Sequence, residues 1–385
     1  MIPLPPTHRC SPWSTHAFLV RCVGCRLFAL LALTVGFLDE AQAEPLEASI
    51  PRETLDRWSA PYRNWHYWPD HVIAADPKIP GHEGFQNTDC PTVYQLPGRP
   101  DTWFLSFIGF NGQGYNSFVS ESTNLIHWTH PRLAMGFGPP SEFDHGGCVV
   151  GAYLYASYDL KAPRLLKRHD GRFWTLYGCY PRQGGYELRP GYEGVAVSDD
   201  GLAWRRAKNS PILAVQDPDC GAWEKDCTYQ PWLLEHQGRF FNFYNAAQGG
   251  VEQTGLAFST DLLAWMRYPA NPVIRIRPGG YDEQFASDPK VFRAADHWVM
   301  FYFGVGKGGA HIMAAFSLDL VHWTSHPEPL YLAGGHPTGL DRQYAHKISL
   351  VYQPKNDTFY LYYCAVGVRG RGIGLLTSRP ISTKS

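Results

Sequence analysis

Features that mark several classes of protein are scarce in this sequence. Charged residues make up only 18% of the 385 residues, and the formal net charge is -1. A nucleic-acid-binding protein usually carries a basic stripe, so this charge balance argues against nucleic acid as a partner. Heptad repeats and low-complexity segments are also missing, which argues against a coiled coil and against a disordered scaffold.

Apolar runs long enough to cross a membrane are lacking too. The run from Leu27 to Phe37 follows Arg21 and Arg26, and Ala41-Gln42-Ala43 after it fits a small-x-small cleavage site. Such a run is too short to span a bilayer but is typical of a secretory signal peptide. The sequence therefore predicts a cleaved leader over residues 1–43. The mature protein is expected to be secreted or periplasmic, with no membrane attachment.

Closely spaced cysteine pairs are absent from the chain after residue 43. Six cysteines remain there, and no two of them form a C-x-x-C pair, so a zinc site is not expected. Cys220 and Cys227 flank one loop and could form a local disulfide in an oxidising compartment. The alternative is that both are buried free thiols.

What the sequence does contain is one unit repeated five times. Each unit has a strand rich in aromatic and β-branched residues, then a Gly-rich turn, then a small-residue strand that ends in Ser. The aromatic strands run from Trp103 to Phe110, Arg172 to Tyr180, Arg239 to Asn245, His297 to Val305 and Thr358 to Val366. Four units close with Leu and Trp.

Four-stranded units that repeat without helices between them predict an all-β, five-bladed β-propeller. We expect the propeller to occupy residues 87–385. The last unit lacks the Leu–Trp closure, so the N-terminal segment 44–86 is expected to supply its outer strand. The innermost strands are predicted to begin near Thr92, Arg164, Trp232, Lys290 and Ile348.

Carboxylates recur just before the predicted innermost strands, which start near the propeller axis. They are Asp89, Glu224, Asp226 and Asp288. Each could simply cap a turn, as aspartate often does. Several carboxylates around one axis, however, would raise one another's pKa and suit acid–base chemistry.

A second set of polar side chains lies on the Gly-rich turns, which return to the same face of the propeller. It includes Glu193, Glu252, Arg369 and Arg371. Trp223, Gln230 and His346 lie near the axis and could contribute to the same pocket. Aromatic faces beside carboxylates suit the binding of sugar rings, although core packing and solvated loop tips are the simpler interpretation of any single residue.

These features resemble the five-bladed propeller glycosidases, which include glycoside hydrolase families 43, 32 and 117. The resemblance covers roughly residues 85–380 and rests on the blade pattern, on Asp89, and on His346 followed by Ser349. It implies hydrolysis of a glycosidic bond by two carboxylates, with Asp89 as general base or nucleophile.

The sequence departs from family 43 at two points. Arg164 stands where that family has an aspartate, and Tyr229-Gln230 stand where its acidic glutamate is expected. The general acid must therefore come from elsewhere, and we rank Asp288 and Glu252 above Glu224 and Asp226 as candidates.

The leading interpretation is an exo-acting glycoside hydrolase with a carbohydrate substrate and no cofactor, although an axial ion near His346 remains open. One alternative is a glycoside phosphorylase, which would bind phosphate through a basic cluster of Lys307, Arg369 and Arg371. The other is a non-catalytic carbohydrate-binding propeller, which would show one similar site per blade. An acidic sugar as substrate is a further hypothesis, based on the basic residues of the pocket-side turns and strand entries, which are Arg182, Lys307, Lys347, Arg369 and Arg371.

Overall fold

A computed structural model of the protein describes residues 49–381, and the regular structure there is almost all β. The predicted leader lies outside these residues. The short helix α1 (Arg52–Ser59) comes first, and the two-residue strand β1 (His66–Tyr67) follows it. Within residues 49–381, no helix has the length and apolarity needed to cross a bilayer.

The remaining strands form five consecutive antiparallel units, or blades. The first blade holds β2 (Asn87–Gln95), β3 (Trp103–Phe110), β4 (Tyr115–Ser122) and β5 (Thr129–Met135). The second holds β6 (Gly147–Tyr153), β7 (Arg168–His169), β8 (Arg172–Tyr180), β9 (Tyr192–Ser198) and β10 (Arg205–Arg206). The third holds β11 (Cys227–His236), β12 (Arg239–Gln248), β13 (Val251–Ser259) and β14 (Met266–Arg267). The fourth holds β15 (Phe285–Arg293), β16 (Trp298–Gly306), β17 (Gly309–Ser317) and β18 (Thr324–Ser325). The fifth holds β19 (Tyr344–Gln353), β20 (Thr358–Gly367) and β21 (Gly370–Thr377).

The innermost strands contact one another in a closed ring. β2 contacts β6, β6 contacts β11, β11 contacts β15, β15 contacts β19, and β19 contacts β2 again. β1 pairs with β21 through His66↔Thr377 and Tyr67↔Leu376, so the N-terminal segment supplies the outer strand of the fifth blade. The prediction of an all-β propeller is confirmed.

The repeated Ser at the end of each third strand builds the turn that follows it. In four blades, the Ser side-chain oxygen accepts the backbone N–H three residues on, from Leu125, Gly201, Leu262 and Leu320. These four residues all have positive φ, between 66° and 76°. The local hydrogen bond stabilises a left-handed turn residue that would otherwise be unfavourable.

Four innermost strands share a bulge near the axis. At this bulge Cys90, Gln230, Asp288 and Lys347 adopt φ of 53°, 51°, 57° and 52°. Because of this bulge, Asp288 occupies the same place in its strand as Cys90, and Ser287 the same place as Asp89, so the two predicted carboxylates are not structurally equivalent. The Pro that follows both Cys90 and Asp288 is the signal that aligns them this way.

The innermost strand of the second blade is not where the sequence predicted it. β6 comes earlier, and the segment 154–167 after it makes an irregular excursion. Arg164 lies in this excursion, fully buried. It donates hydrogen bonds to the carbonyl oxygens of Asp159 and Leu160 at 2.7 and 3.1 Å and stacks on Phe292. Arg164 therefore satisfies loop carbonyl groups instead of starting a strand.

A buried carboxylate precedes the innermost strand by three residues in four blades. Each accepts a hydrogen bond from a tyrosine of the second strand of its own blade, and we call these the carboxylate–tyrosine pairs. They are Asp144 with Tyr177, Glu224 with Tyr244, Asp282 with Tyr302, and Asp341 with Tyr363, at 3.0, 2.9, 2.7 and 3.1 Å. These four carboxylates are therefore structural, and Glu224 is the only one of them that was among the carboxylates predicted before the strands. Each of the four ties the lead-in loop of its blade to the sheet of that blade.

The six cysteines within residues 49–381 are free and buried. Cys227 is in β11, at the start of the innermost strand of the third blade, and Cys220 lies in the loop before it. The possible Cys220–Cys227 disulfide is therefore not formed, and the alternative of buried thiols holds.

Candidate active site

A pocket of about 300 Å³ opens at the propeller axis. The starts of β15, β17 and β19 and the ends of β16 contribute to its walls, together with the loop 181–191 of the second blade. It is lined by Tyr186, Glu187, Tyr229, Glu252, Gln284, Phe285, Phe303, Val305, Ala310, Tyr344, His346, Lys347 and Arg371. Three sites predicted from sequence, Glu252, His346 and Arg371, are thus brought together.

Asp89 lies beneath this pocket and is fully buried. Its Oδ2 accepts hydrogen bonds from Lys347 Nζ at 3.1 Å and Arg371 Nη1 at 3.0 Å, and Tyr186 Oη lies 3.4 Å away. Its Oδ1 accepts the backbone N–H of Cys90 at 2.7 Å. Burial alone would raise the pKa of Asp89, but the charges of Lys347 and Arg371 outweigh burial and hold that pKa well below its usual range.

Lys347 and Arg371 are in turn kept charged by the Asp89 carboxylate. Burial lowers the pKa of Lys347, but the Asp89 carboxylate more than compensates and raises it well above its usual value. Arg371 also contacts the Tyr186 hydroxyl. Asp89 therefore fixes a buried triad with Lys347 and Arg371, and it presents these two cations, rather than its own oxygens, to the pocket.

Glu187 reaches the pocket from the loop of the second blade. Its side chain is 28% exposed, and its Oε1 lies 4.0 Å from Lys347 Nζ. Burial raises the pKa of Glu187, and the negative charges of Glu252 and Asp89 add to that rise, against the opposing effect of Lys347. A carboxyl group that holds its proton more tightly than usual, and that is open to the pocket, suits a general acid.

Glu252 lines the pocket from the start of β13. Its Oε2 accepts a hydrogen bond from Ser287 Oγ at 2.8 Å, and its Oε1 lies 3.6 Å from Arg189 Nη2. A hydroxyl donor and a guanidinium thus face its two oxygens. Glu187 and Glu252 thus share one pocket in two different electrostatic environments.

His346 lies between the buried triad and the aromatic side of the pocket. Burial lowers its pKa to about 3, so the imidazole is neutral near pH 7. Its Nδ1 lies 3.2 Å from the carbonyl oxygen of Cys364, which assigns the ring proton to that nitrogen. Asp89, His346 and Cys364 each place one possible ligand atom within 4.8 Å of the other two. The ammonium and guanidinium groups already paired with Asp89 oppose a cation there.

Asp288 and Gln230 lie deeper along the axis. They line a cavity of about 10 Å³, where Asp288 Oδ1 pairs with Lys290 Nζ at 2.6 Å. Gln230 Nε2 lies 3.0 Å from Cys90 Sγ. Both side chains are nearly buried, and neither lines the larger pocket. Asp288 is therefore part of the packing along the axis.

Glu224, Trp223 and Glu193 lie away from the pocket, in and beside the third blade. Glu224 accepts hydrogen bonds from Tyr244 and, at 3.1 Å, from Arg267 Nε, while Trp223 packs on Tyr244. Glu193 accepts from Asn242. Burial raises the pKa of Glu193 to about 8, yet the side chain is enclosed and cannot reach a substrate.

Asp226 and Arg369 occupy the outer surface near the pocket. Asp226 Oδ2 accepts the backbone N–H of Gly249 at 2.7 Å and lies 3.7 Å from Arg189 Nη1. Arg369 is half exposed and pairs with Asp70. Neither lines the pocket. The predicted basic cluster is therefore dispersed, because only Arg371 faces the site.

Glu187, Tyr186 and Arg189 line or adjoin the pocket but were not predicted from the sequence. All three follow Gly184-Gly185 on the same Gly-rich turn from which Glu193 was chosen. Glu193 lies within β9 and is enclosed, whereas Glu187 lies on the loop before it, at a left-handed φ of 50°. The sequence signal that could have indicated this loop is the glycine pair followed directly by an aromatic and an acidic residue.

No protein-family model and no curated protein matches the chain. Among solved structures, the chain is similar to a complex of BT0996 with RGII, with 25% identity and a TM-score of 0.72 over 86% of this chain and 97% of that one. It is also similar to a structure described as a glycoside hydrolase, with 25% identity and a TM-score of 0.69 over 86% and 95% of the two chains.

A third similar structure comes from the GH130 family of mannoside phosphorylases, which contains glycoside hydrolases that target β-1,2 mannosidic linkages in Candida mannan. It is 15% identical, with a TM-score of 0.59 over 84% of this chain and 96% of that one, and it shows the fold alone. The resemblance to the propeller glycosidases is confirmed, with a divergent sequence. Together the neighbours support a glycosyl-acting, carbohydrate-active enzyme and leave hydrolysis and phosphorolysis open.

Proposed function

We propose that the protein is a glycoside hydrolase that cleaves the terminal residue of an oligo- or polysaccharide. The observation that carries the proposal is the pair Glu187 and Glu252, which share one axial pocket in different environments. Glycoside hydrolysis needs two carboxyl groups across one bond, one protonated and one ionised. Environments that separate two carboxyl groups in this way assign the acid and its partner.

Glu187 is the proposed general acid. It is open to the pocket, and burial raises its pKa, so it can protonate a leaving-group oxygen. Glu252 is the proposed base or nucleophile, because it lines the same pocket and its two oxygens face Ser287 and Arg189. Asp89 remains predicted to be essential. Its full burial favours a positioning role through Lys347 and Arg371 rather than direct contact with the sugar.

The charge of the pocket favours hydrolysis over phosphorolysis. Three cations lie in or beside it, Arg189, Lys347 and Arg371, and each faces a carboxylate of Asp89 or Glu252. A phosphate site needs positive charge that is not already compensated. Lys307 and Arg369 do not line the pocket, and Arg369 also pairs with Asp70, so neither supplies it.

The location and the exo mode of action rest on separate arguments. A pocket at the axis suits a chain end better than a long polymer lying across the surface. Secretion, or export to the periplasm, rests on the leader pattern in residues 1–43. A carbohydrate substrate also agrees with a protein of similar fold. That protein, a β-1,2-mannobiose phosphorylase from Listeria innocua, was solved in complex with β-1,2-mannobiose.

The test is product analysis with a panel of aryl glycosides and oligosaccharides, with and without inorganic phosphate. We expect free sugar at the same rate in both conditions, and NMR of the first-formed anomer will then give the stereochemical outcome. Formation of a sugar 1-phosphate would instead establish the phosphorylase. Tight sugar binding without turnover on any substrate would establish a carbohydrate-binding propeller.

A further inference from the structure

One side of the pocket is apolar and is built almost entirely by the fourth blade. Phe285 at the start of β15, Phe303 and Val305 near the end of β16, and Ala310 at the start of β17 all line it. They converge because these strand ends are neighbours in one antiparallel sheet, where Phe285 pairs with Val305, and Val305 pairs with Ala310. We call these four residues the apolar wall.

The residues beside the apolar wall extend it without adding charge. The rings of Phe303 and His346 meet edge to face with centroids 5.2 Å apart, and those of Phe285 and Phe303 are 6.5 Å apart. His346 is neutral near pH 7, because burial lowers its pKa to about 3. Tyr344 stands next to His346 at 5.8 Å.

The ionisable groups come from other blades, but Glu252 adjoins the apolar wall, because it pairs with Phe285 and accepts a hydrogen bond from Ser287 of the same strand. Glu187, Glu252, Lys347 and Arg371 come from the second, third and fifth blades. A ligand in this pocket therefore meets a hydrocarbon surface at the four residues of the apolar wall, and charged or hydrogen-bonding groups around it, including Gln284 of the fourth blade.

This division sets a chemical requirement on the sugar. A hydroxyl group pressed against the apolar wall would lose its hydrogen bonds to water without gaining a partner there. A methyl group at the same place would remove apolar surface from water, which is favourable. An ordinary hexose carries hydroxyl groups around its whole edge, so one of them would meet the apolar wall.

We propose that the pocket selects a sugar with a methyl-bearing edge, either a 6-deoxy sugar or an O-methylated sugar, and that this edge packs on the apolar wall. The inference rests on the proposed glycoside hydrolase function and specifies its substrate class. The scissile bond then lies beside the apolar wall, toward Glu187 and Glu252.

The test uses stereochemically matched monosaccharides, which an exo-acting enzyme binds as products. The 6-deoxy arm compares L-fucose with L-galactose, L-rhamnose with L-mannose, and D-quinovose with D-glucose, by calorimetry and saturation-transfer NMR. The O-methyl arm compares mono-O-methyl ethers with the same parent hexoses. Since one methylene in a hydrophobic pocket is worth roughly 10–200-fold, we expect at least one methyl-bearing sugar to bind about 10-fold more tightly than its partner. Its methyl protons should receive the strongest saturation from the protein's aromatic protons.

A pair of matched variants locates the effect. Val305→Thr is nearly isosteric and places a hydroxyl on the apolar wall, so it should reduce the methyl preference several-fold. Val368→Thr makes the same change on a side chain that is 61% exposed and outside the pocket, and it should leave the preference unchanged. An equal effect of both variants would overturn the assignment to the apolar wall.

The outcomes separate the two proposals. Equal affinity within every pair, tighter binding of the hydroxylated partner, or no binding of any member overturns the methyl-edge inference, whatever the enzyme hydrolyses. A clear methyl preference without turnover on any matching glycoside leaves the inference intact and refutes the proposed hydrolase.

Discussion

At the residue scale, carboxyl groups of the same chemical type are driven to different states by their neighbours. Asp89 is enclosed with two cations, and its pKa is held well below the usual range. Glu187 is open to the pocket, and its pKa is raised, first by burial and then by nearby carboxylates. Because ionisation depends on such contacts, each residue's role is decided by its partners rather than its type.

Glu187→Gln tests the proposed acid. The amide cannot donate a proton, so we expect kcat on substrates with poor leaving groups to fall by about 10²–10⁴-fold. Aryl glycosides with good leaving groups should be much less affected. The wild-type rate should decline as pH rises through the raised pKa of Glu187, because the protonated form is the active one. This alkaline decline should be absent from the variant.

The matched control is Glu53→Gln, an exposed change in α1 that should leave the kinetics unchanged. If Glu187→Gln loses the same factor on every leaving group, Glu187 is not the acid, and Glu252 becomes the next residue to test.

Asp89→Asn tests the buried triad. Removing the charge leaves Lys347 and Arg371 buried without their counter-ion, and breaking a buried pair costs about 3–5 kcal/mol of the free energy of unfolding. The folded-state pKa of Asp89 is depressed, so its stabilisation is present above the unfolded pKa and is lost as pH falls below that value. The stability difference between wild type and variant, measured by urea unfolding, should therefore be full at pH 7 and shrink in acid.

The control for the buried triad is Asp101→Asn, at an exposed pair with Lys355. Exposed pairs contribute little to stability, so its unfolding curve should match the wild type. If Asp89→Asn is as stable as the wild type at pH 7, Asp89 does not stabilise the fold by neutralising Lys347 and Arg371.

At the scale of single elements, some of the repeated carboxylates stabilise the blades and do not reach the pocket. The carboxylate–tyrosine pairs join the loop before each innermost strand to the second strand of the same blade. The first blade has Phe107 on its second strand and Gly84 three residues before β2, and so lacks such a pair. A periodic acidic residue in a propeller therefore does not by itself indicate catalysis.

Glu224→Gln distinguishes the structural role from a catalytic one. It weakens the contacts to Tyr244 and to the buried Arg267, and lost hydrogen bonds to charged groups cost about 1.5–3 kcal/mol. We expect a lower melting temperature with an unchanged dependence of rate on the leaving group. Glu235→Gln, at a surface pair with Lys167, should change neither. A leaving-group effect in Glu224→Gln would return this residue to the candidate acids.

At the scale of the whole molecule, the N-terminal segment belongs to the last blade. β1 covers β21, and the backbone of Ile73 pairs with that of Ile373. Trp58 of α1 stacks on His297 of the fourth blade, with ring centroids 3.9 Å apart. The segment thus joins two blades and protects an outer strand that would otherwise be an open sheet edge.

Deleting residues 44–75 should therefore lower the melting temperature by several degrees and promote aggregation through the exposed edge of β21. Differential scanning calorimetry and light scattering measure both effects. Deletion of residues 44–48 alone, which removes nothing from α1 or β1, is the control. If the longer truncation melts like the parent, the N-terminal strand contributes nothing to the stability of the ring.

The sequence by itself determined the all-β propeller, because the aromatic strands, Gly-rich turns and Ser-ended strands are local signals repeated at regular intervals. It also placed Glu252, His346 and Arg371 on the correct face. The tertiary structure alone decided which carboxylates meet. It enclosed Glu193 and Glu224, put Asp288 in register with Cys90, and brought Glu187 into the pocket beside Glu252. The physical reason is that the periodicity of a strand is local, whereas the charge of a pocket depends on blades that are far apart in sequence. In addition, a one-residue bulge is enough to change which side chain faces the pocket.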